Sequence, residues 1–439
     1  MVARLTAFWS YLKESLWALP LGMVIAAGAL AVIAVAMPVV ADASSWWLYS
    51  GSIEDAADFL STLLSSMINM ATLAISITMV VLTLAAQQLG PRLIFSFMRD
   101  WRTQAALGLF IGTAVYLLLV LRIVQGRGMA GVPNLAVTAG TALVLASVVA
   151  LVLFVHHLSR SIISDTIIDR VGSTLDRAIS EYLPEPREKD PATGAQLARH
   201  SGQPLRTESG GYVQVIDYDG LLHVAKKADG VIELAIRPGH HVLEYGTIGW
   251  ISPPGASTDK VNAQIANCIL FGIERTIVQD VEYSVRQLVD IALRALSPGI
   301  NDPYTALAAV DRLALSLGRV LERGPPQVVW RDEGGTVRLT GPGSDFEGIL
   351  DVAFTQIRQA AEKHAVILIR MAEKLGQLAE LADAPQCAVI SHHIELVLAE
   401  GRRNLPEKAD EAVLEQRAEA ALSTCRRIIA GASDYRPNG

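Results

Sequence analysis

The chain has 439 residues with a formal net charge of −7, and 51 % of its residues are hydrophobic. This length favours two or three domains, and an acidic balance without a basic cluster excludes nucleic acid as an expected partner, because phosphate binding needs clustered Lys and Arg. The three cysteines, Cys268, Cys387 and Cys425, lie far apart without CxxC spacing, which favours buried thiols over a disulfide framework or a zinc site.

Four apolar segments near the N-terminus are long enough to cross a bilayer, which takes about 20 residues in a helix. They fall within residues 16–41, 59–91, 103–121 and 134–155. Because unpaired backbone groups are costly in lipid, each segment must be helical. We therefore expect a mainly α membrane protein whose four-helix transmembrane domain occupies residues 1–159, in contact with the lipid bilayer.

The loops predict how the spans are oriented, since Lys and Arg concentrate on the cytoplasmic side. The loop between the second and third spans carries three arginines, Arg92, Arg99 and Arg102. The loop before the second span and the start of that span carry only acids, Asp42, Glu54, Asp55 and Asp58. Both termini are therefore predicted to face the cytoplasm.

The second span carries a polar stripe. At 100° per residue, eight of the eleven polar residues between Ser61 and Gln88 fall within an arc of about 100°. Its main members are Ser65, Asn69, Thr72, Ser76, Thr83 and Gln87. Two interpretations stay open: a helix–helix interface, to which Gly108 and Gly112 of the third span would contribute as small residues, or the lining of a water-filled pathway between copies of the chain.

The remaining chain predicts a cytosolic α+β region in three parts. Residues 160–210 read as a connecting helix and linker. Residues 211–252 alternate short β-branched runs with turns and predict a small barrel-like β module. Residues 253–439 show apolar recurrence at three and four and predict a helical domain, with helices at 261–271 and 346–375 among others.

The run ALSPGINDPYTA at 295–306 is the most distinctive local feature. It reads as a helix stop followed by a helix start, with Asp302 as N-cap and Pro303 in the first turn. The alternative is a polar ligand site that joins Asn301 and Asp302 to residues of the preceding helix, Asp280, Glu282 and Arg286. Both interpretations stay open at this point.

Several segments together resemble a bacterial family of predicted four-span membrane proteins of unknown function. The resemblance rests on the four spans, the strand GYVQVID at 211–217, the run RQLVDIA at 286–292 and the ALSPGINDPYTA run. It covers nearly the whole chain and implies an inner-membrane location. It implies no activity, substrate or cofactor.

No catalytic, metal-binding or nucleotide-binding pattern is evident, so we expect neither enzyme activity nor a cofactor. The polar stripe favours a homo-oligomeric, channel-like protein with a polar pathway along the second helix, through which a small ion or solute would pass. The alternative is a membrane-anchored sensor or scaffold whose cytosolic domain binds a partner or small ligand.

Overall fold

The computed structural model describes residues 17–36, 48–89, 100–126, 133–161, 164–185, 202–324, 326 and 328–434. The chain divides into two compact units, one up to Thr166 and one from Ile167 onward. Each unit has its own hydrophobic interior, and the two are described separately.

The N-terminal unit consists of four helices, α1 Ala18–Ala36, α2 Ile53–Leu89, α3 Trp101–Val124 and α4 Asn134–Ser161. All four are long and apolar enough to cross a membrane. Helices satisfy their backbone hydrogen bonds internally, which hydrocarbon requires. The prediction of four spans is confirmed.

Helix α3 is the central span, because it packs against each of the other three. Its glycines allow close approach to α1: a Cβ at Gly108 would lie 2.7 Å from Met23 Sδ, and one at Gly112 would lie 3.4 Å from the Met23 carbonyl oxygen. The sequence-based interpretation that these glycines serve the second span was therefore wrong. Small residues permit close approach of any neighbouring helix, and the spacing does not reveal which one.

Polar contacts join α3 to α4 inside this unit. The Tyr116 hydroxyl donates to the carbonyl oxygen of Ala136 at 2.9 Å, and the hydroxyls of Thr113 and Ser147 lie 3.2 Å apart. All these side chains are buried or nearly so. Such bonds help to hold spans together where lipid is as apolar as the helices themselves.

The C-terminal unit mixes helices and short strands. Its strands are β1 Gln203–Arg206, β2 Gly211–Ile216, β3 Val231–Leu234, β4 His241–Val242, β5 Thr247–Ser252, β6 Ile269–Gly272, β7 Val329–Arg331 and β8 Val337–Thr340. Its helices are α5 Ser164–Tyr182, α6 Tyr218–Lys227, α7 Asp259–Asn267, α8 Val281–Ala295, α9 Pro303–Leu321, α10 Phe346–Ala360, α11 Ala365–Ala379, α12 Ala384–Asn404 and α13 Lys408–Asp434, with a 3₁₀ turn at Pro254–Ala256.

The strands form two open sheets, with orders β1-β5-β3-β8-β7 and β4-β2-β6. A mainly α membrane protein with an α+β region is confirmed, but the described strands do not close into the barrel-like module that the sequence suggested. Strands β6, β7 and β8 come from beyond residue 252, and β8 pairs in parallel with β3. A pairing across about a hundred residues leaves no local sequence signal, which is why the module looked self-contained.

Two predicted helices differ in detail. The expected helix at 261–271 is α7, which ends at Asn267, after which the chain continues as β6 paired with β2. The expected helix at 346–375 is two helices, α10 and α11, with a break before Ala365. In both places the apolar spacing continues across the break, so periodicity alone does not locate it.

Candidate functional site

The second span, α2, is one uninterrupted helix of 37 residues, about 55 Å long at 1.5 Å per residue. It begins with a reciprocal cap, in which the Asp55 amide donates to Ser52 Oγ at 3.1 Å and the Ser52 amide donates to Asp55 Oδ2 at 3.2 Å. No Gly or Pro interrupts the helix. Its polar positions therefore keep one register along the whole span.

The packed face of α2 is apolar. Leu60, Met67, Ala74 and Val81 are buried in the core of the N-terminal unit, where α2 contacts α3 and α4. Taking Ser65 as the origin, these residues lie between about 140° and 180° away around the helix. The packed face is thus opposite the polar stripe.

The polar stripe faces outward. Ser65, Asn69, Thr72, Ser76 and Thr83 are all exposed, whereas Gln87 lies within α2 but its side chain falls outside the described residues. The described part of the stripe therefore does not pack against the other three spans of the same chain. Among the described residues nothing covers this face, which leaves it available to lipid, water or another protein chain.

Hydrogen bonding divides the stripe into two kinds of residue. The hydroxyls of Ser65, Thr72 and Thr83 donate to the carbonyl oxygens four residues earlier, at 3.0, 2.9 and 2.8 Å. These hydroxyls are satisfied within the helix and are compatible with lipid. Within the described part of the chain, the side chains of Asn69 and Ser76 have no hydrogen-bond partner. The Asn69 amide thus retains two donors and an acceptor at mid-span.

The flanks of the stripe are apolar. Ile68 and Leu73 are each more than half exposed, at 52 and 53 %. Large apolar side chains at this exposure suit contact with lipid chains. The stripe is therefore a narrow polar strip bordered by lipid-compatible surface.

The ALSPGINDPYTA run forms the turn between α8 and α9. Asp302 is the N-cap of α9: its carboxylate accepts from the Thr305 amide at 3.2 Å and from the Thr305 hydroxyl at 2.6 Å. The hydrogen bond from the Thr305 hydroxyl is the main reason why the pKa of Asp302 is lowered. Asn301 is exposed and has φ +48°, a left-handed conformation that Asn tolerates better than most residues.

Asp280 lies at the other end of α8 and caps its start. It is 2 % exposed, accepts from the Tyr283 amide at 2.9 Å, and accepts from Arg275 Nε at 2.8 Å. Burial raises the pKa of Asp280, and the nearby Arg275 guanidinium opposes this shift. Arg286 is half-buried, and no side-chain hydrogen bond or ion pair joins it to the residues that the structure describes.

These four residues do not form one site. Asp280 and Asp302 bracket the 15 residues of α8, which separates them by about 22 Å. Each carboxylate is occupied by its own helix start. Among the described residues, no group of three or more His, Cys, Asp or Glu side chains is placed to hold a metal ion.

Comparison with known proteins places the chain in a family. Residues 13–377 match the family model described as "Predicted membrane protein (DUF2254)". The chain belongs to this family. It is also 30 % identical over 441 residues, 97 % of this chain and 84 % of the relative, to an uncharacterized protein of Mycobacterium bovis and to one of Mycobacterium tuberculosis. No solved structure matches it. The resemblance drawn from the sequence is confirmed.

This DUF2254 member has a charged cluster around Glu282, whose partners sequence reasoning did not find. Arg237 donates to Glu282 Oε1 at 2.6 Å and to Ser344 Oγ at 3.0 Å. These bonds connect the turn before β4 to α8 and to the segment that immediately precedes α10. Beside it, the turn at Gly239 (φ +89°) lies against Asp280. The pairs join residues 45 and 107 positions apart, so only the run of Arg, Pro and Gly at 237–239 hinted at a constrained turn.

A second unanticipated contact in this DUF2254 member joins two spans. His157 Nε2 near the end of α4 lies 2.5 Å from Asp100 Oδ2 at the start of α3. The two side chains are 17 and 12 % exposed. The tandem histidines at 156 and 157 gave no indication of this partner, because it lies in another loop.

Proposed function

We propose that this protein assembles from several copies in the bacterial inner membrane, with both termini in the cytoplasm, and that the polar faces of α2 line a pathway for a small ion or solute. The single observation that carries the proposal is the position of the stripe. It lies opposite the packed face and is exposed along the described part of the helix.

The chemistry of Asn69 supports assembly. An amide without a partner is costly in hydrocarbon, and the same amide on a second copy offers complementary donors and acceptors. The back-bonded hydroxyls at Ser65, Thr72 and Thr83 add acceptor oxygens without charge. Several such faces around one axis would enclose a polar, uncharged channel wall.

Flux through reconstituted liposomes tests the proposal. Full-length protein should release K⁺ or glycerol from loaded vesicles, and Asn69→Leu with Ser76→Leu should reduce the release by at least about tenfold, since a hydrophobic constriction gates by dewetting. The matched control is Ile68→Val on the apolar flank, which should leave the release unchanged. Equal flux from the double variant and the parent would contradict the proposal.

A wild-type protein that is oligomeric yet passes neither probe would favour the alternative function, a membrane-anchored sensor or scaffold. The environment of Arg286 supports this alternative. Its half-buried guanidinium has no partner among the described residues and is available to an anionic ligand. Neither reading assigns an enzymatic reaction to the chain.

A further inference from the structure

One end of the three-stranded sheet β4-β2-β6 carries exposed apolar side chains. Strand β2 pairs antiparallel with both neighbours, so its start lies beside the last residue of each, Val242 and Gly272. The residues that follow β4 and β6 therefore leave the sheet at the same end. Three of them are large apolar side chains that are 72, 68 and 93 % exposed: Leu243, Tyr245 and Ile273. Single exposed apolar residues are common, but several at one place mark an interaction surface.

Free carboxylates surround this apolar end. They belong to three exposed glutamates that form no side-chain hydrogen bond or ion pair with the described residues: Glu208, Glu244 and Glu274. The Tyr245 amide donates to the Thr207 carbonyl oxygen at 2.8 Å, which places the segment of Glu208 beside the other two. Arg206 is an exposed cation next to them, so negative charge remains in excess. We call the three apolar residues and the three glutamates the acidic cap.

A surface of complementary chemistry lies on α12. It is a shallow groove of about 470 Å³, lined by Glu395, Leu398, Ala399, Arg402 and Arg403. Arg403 is exposed and has no ion pair among the described residues. Arg402 donates to Glu415 at 2.8 Å, and both of these side chains are largely exposed, so this pair contributes little and can be exchanged. The groove, which we call the arginine groove, thus combines an apolar wall with two guanidinium groups.

The acidic cap and the arginine groove lie on different elements of one unit. Helix α12 packs mainly against α10, α11 and α13, whereas the cap belongs to the small sheet. Two different and complementary surfaces on one chain allow a head-to-tail contact between copies. Such heterologous contacts generate a ring when the rotation closes.

A bilayer surface is another occupant to consider, because apolar side chains at loop ends insert into headgroups. Membrane-binding surfaces add Lys and Arg, which anionic lipids attract. The acidic cap has the opposite charge, and its free glutamates would be repelled. Charge therefore favours a cationic protein surface over lipid, and the arginine groove is such a surface on the same chain.

We propose that the acidic cap of one copy binds the arginine groove of the next, so that the C-terminal units of the oligomer form a ring. The exposed apolar residues of the cap supply the buried area, and opposite charges fix the register. This inference rests on the assembly of copies in the proposed function, but it does not depend on the pathway along α2.

Charge exchange in the full-length protein tests the inference. Energy transfer between labelled copies, measured while the reconstituted protein is diluted with lipid, gives an apparent Kd. Glu244→Arg with Glu274→Arg should raise this Kd at least about tenfold, because like charges then face each other. Arg402→Glu with Arg403→Glu should do the same. All four changes together should return the Kd to within about threefold of the wild type, because each contact again joins opposite charges.

Two further variants complete the test. The matched control is Glu322→Arg with Glu380→Arg, which reverses two exposed glutamates at the ends of α9 and α11, outside both surfaces. Its Kd should equal that of the wild type. Ile273→Ser removes the most exposed apolar side chain of the cap without a change of charge, and should raise the Kd at least about threefold. It retains the test if a charge variant fails to fold.

The outcomes separate this inference from the proposed function. An unchanged Kd in both reversed variants overturns the inference, and so does an equal rise in the control or a fourfold variant that fails to regain association. If the reversed variants associate normally while Asn69→Leu does not, the copies meet along α2 and the proposed function stands. A wild type that assembles through the cap and groove but passes no solute overturns the pathway alone. A wild type that stays monomeric overturns both.

Discussion

Arg312 of α9 donates through Nη2 to Asp176 Oδ2 of α5 at 2.6 Å, and the two side chains are only 9 and 10 % exposed. Ser316 Oγ and Arg319 Nη1 approach the same carboxylate at 2.8 and 2.9 Å. Along the chain, α5 follows the last span. This buried ion pair therefore fixes α5 onto α9 within the C-terminal unit.

We expect Asp176→Ala to lower the free energy of unfolding of the C-terminal unit by about 3–5 kcal/mol, because it removes the buried counter-ion of Arg312. The exposed Asp169 carboxylate, 3.9 Å from Arg312 Nε, is then the remaining partner. Thermal unfolding of the detergent-solubilised protein, followed by tryptophan fluorescence, measures the loss.

The control for Asp176→Ala is Glu333→Ala at the exposed pair with Lys226, whose side chains are 92 and 49 % exposed. It should cost less than about 1 kcal/mol. If both variants lowered the free energy of unfolding equally, burial would not increase the contribution of the Asp176 pair to stability. The double change Asp176→Leu with Arg312→Met should recover much of the loss, because it leaves no buried charge without a partner. Arg319 also loses its partner, but its side chain is 49 % exposed.

The turn at Gly239 gives a second prediction. Gly239 has φ +89°, and a Cβ there would lie 2.2 Å from Asp280 Oδ2. Gly335 has φ +80° with nothing within 4 Å of its Cβ position. Gly335→Ala should thus lower the free energy of unfolding by about 1–2 kcal/mol, the cost of placing a Cβ-bearing residue at positive φ. Gly239→Ala should lower the free energy of unfolding by about 1–3 kcal/mol more than Gly335→Ala does, because the new Cβ displaces the Asp280 carboxylate. The comparison is made by urea unfolding, and similar losses would contradict close packing of the turn.

The membrane half of this fold could be predicted because its signals are local. Each span is a continuous apolar run, and the register of the stripe on α2 follows from 3.6 residues per turn. The cap at Asp302 likewise lies within one short segment, with Thr305 three residues on. Bilayer thickness and helix geometry are external constraints, so no knowledge of the tertiary structure is needed to apply them.

The C-terminal unit could not be predicted to the same depth because its decisive contacts are distant in sequence. Asp176 meets Arg312 across 136 residues, and Arg237 meets Glu282 across 45. The sequence pattern of an amphipathic helix does not distinguish a charged residue that is exposed to solvent from one in a buried ion pair. The exposure of Asn69 is also a tertiary property: its position on the helix is readable from the sequence, but which face the neighbouring spans cover is not.

Histidine burial between α10 and α12 gives a prediction on pH. His393 is 2 % exposed, with Nε2 3.2 Å from Asp351 Oδ1. Burial lowers the pKa of His393 below its ordinary 6.5, and Asp351 opposes the shift. The unfolded chain therefore binds a proton at higher pH than the folded one does. The contribution of His393 to stability is complete above pH 6.5 and is lost as the pH falls below that value.

His393→Gln should accordingly weaken the fall in melting temperature between about pH 6.5 and pH 5. The exposed neighbour His392 supplies the control. His392→Gln should keep most of the slope, because burial is the largest cause of the lowered pKa of His393 and the charge of His392 is a smaller one. Part of the slope should remain in His393→Gln, because burial also lowers the pKa of His240. An unchanged slope in His393→Gln would mean that this histidine is not the buried, neutral group that the packing indicates.

The final prediction concerns assembly and isolates the amide of Asn69 from the rest of the stripe. Asn69→Leu should weaken association between copies by about 0.6–2 kcal/mol per pair of amides, the range between the average in a folded membrane protein and the upper value in model peptides. Thr72→Val is the matched control. Thr72 lies on the same exposed arc, but its hydroxyl is already bonded to the Ile68 carbonyl, so association should hardly change. Energy transfer between labelled copies, measured while the protein is diluted with lipid, gives both values. If the two variants dissociate alike, general polarity of the face and not the free amide would drive assembly, and if neither differs from the parent, the copies meet elsewhere.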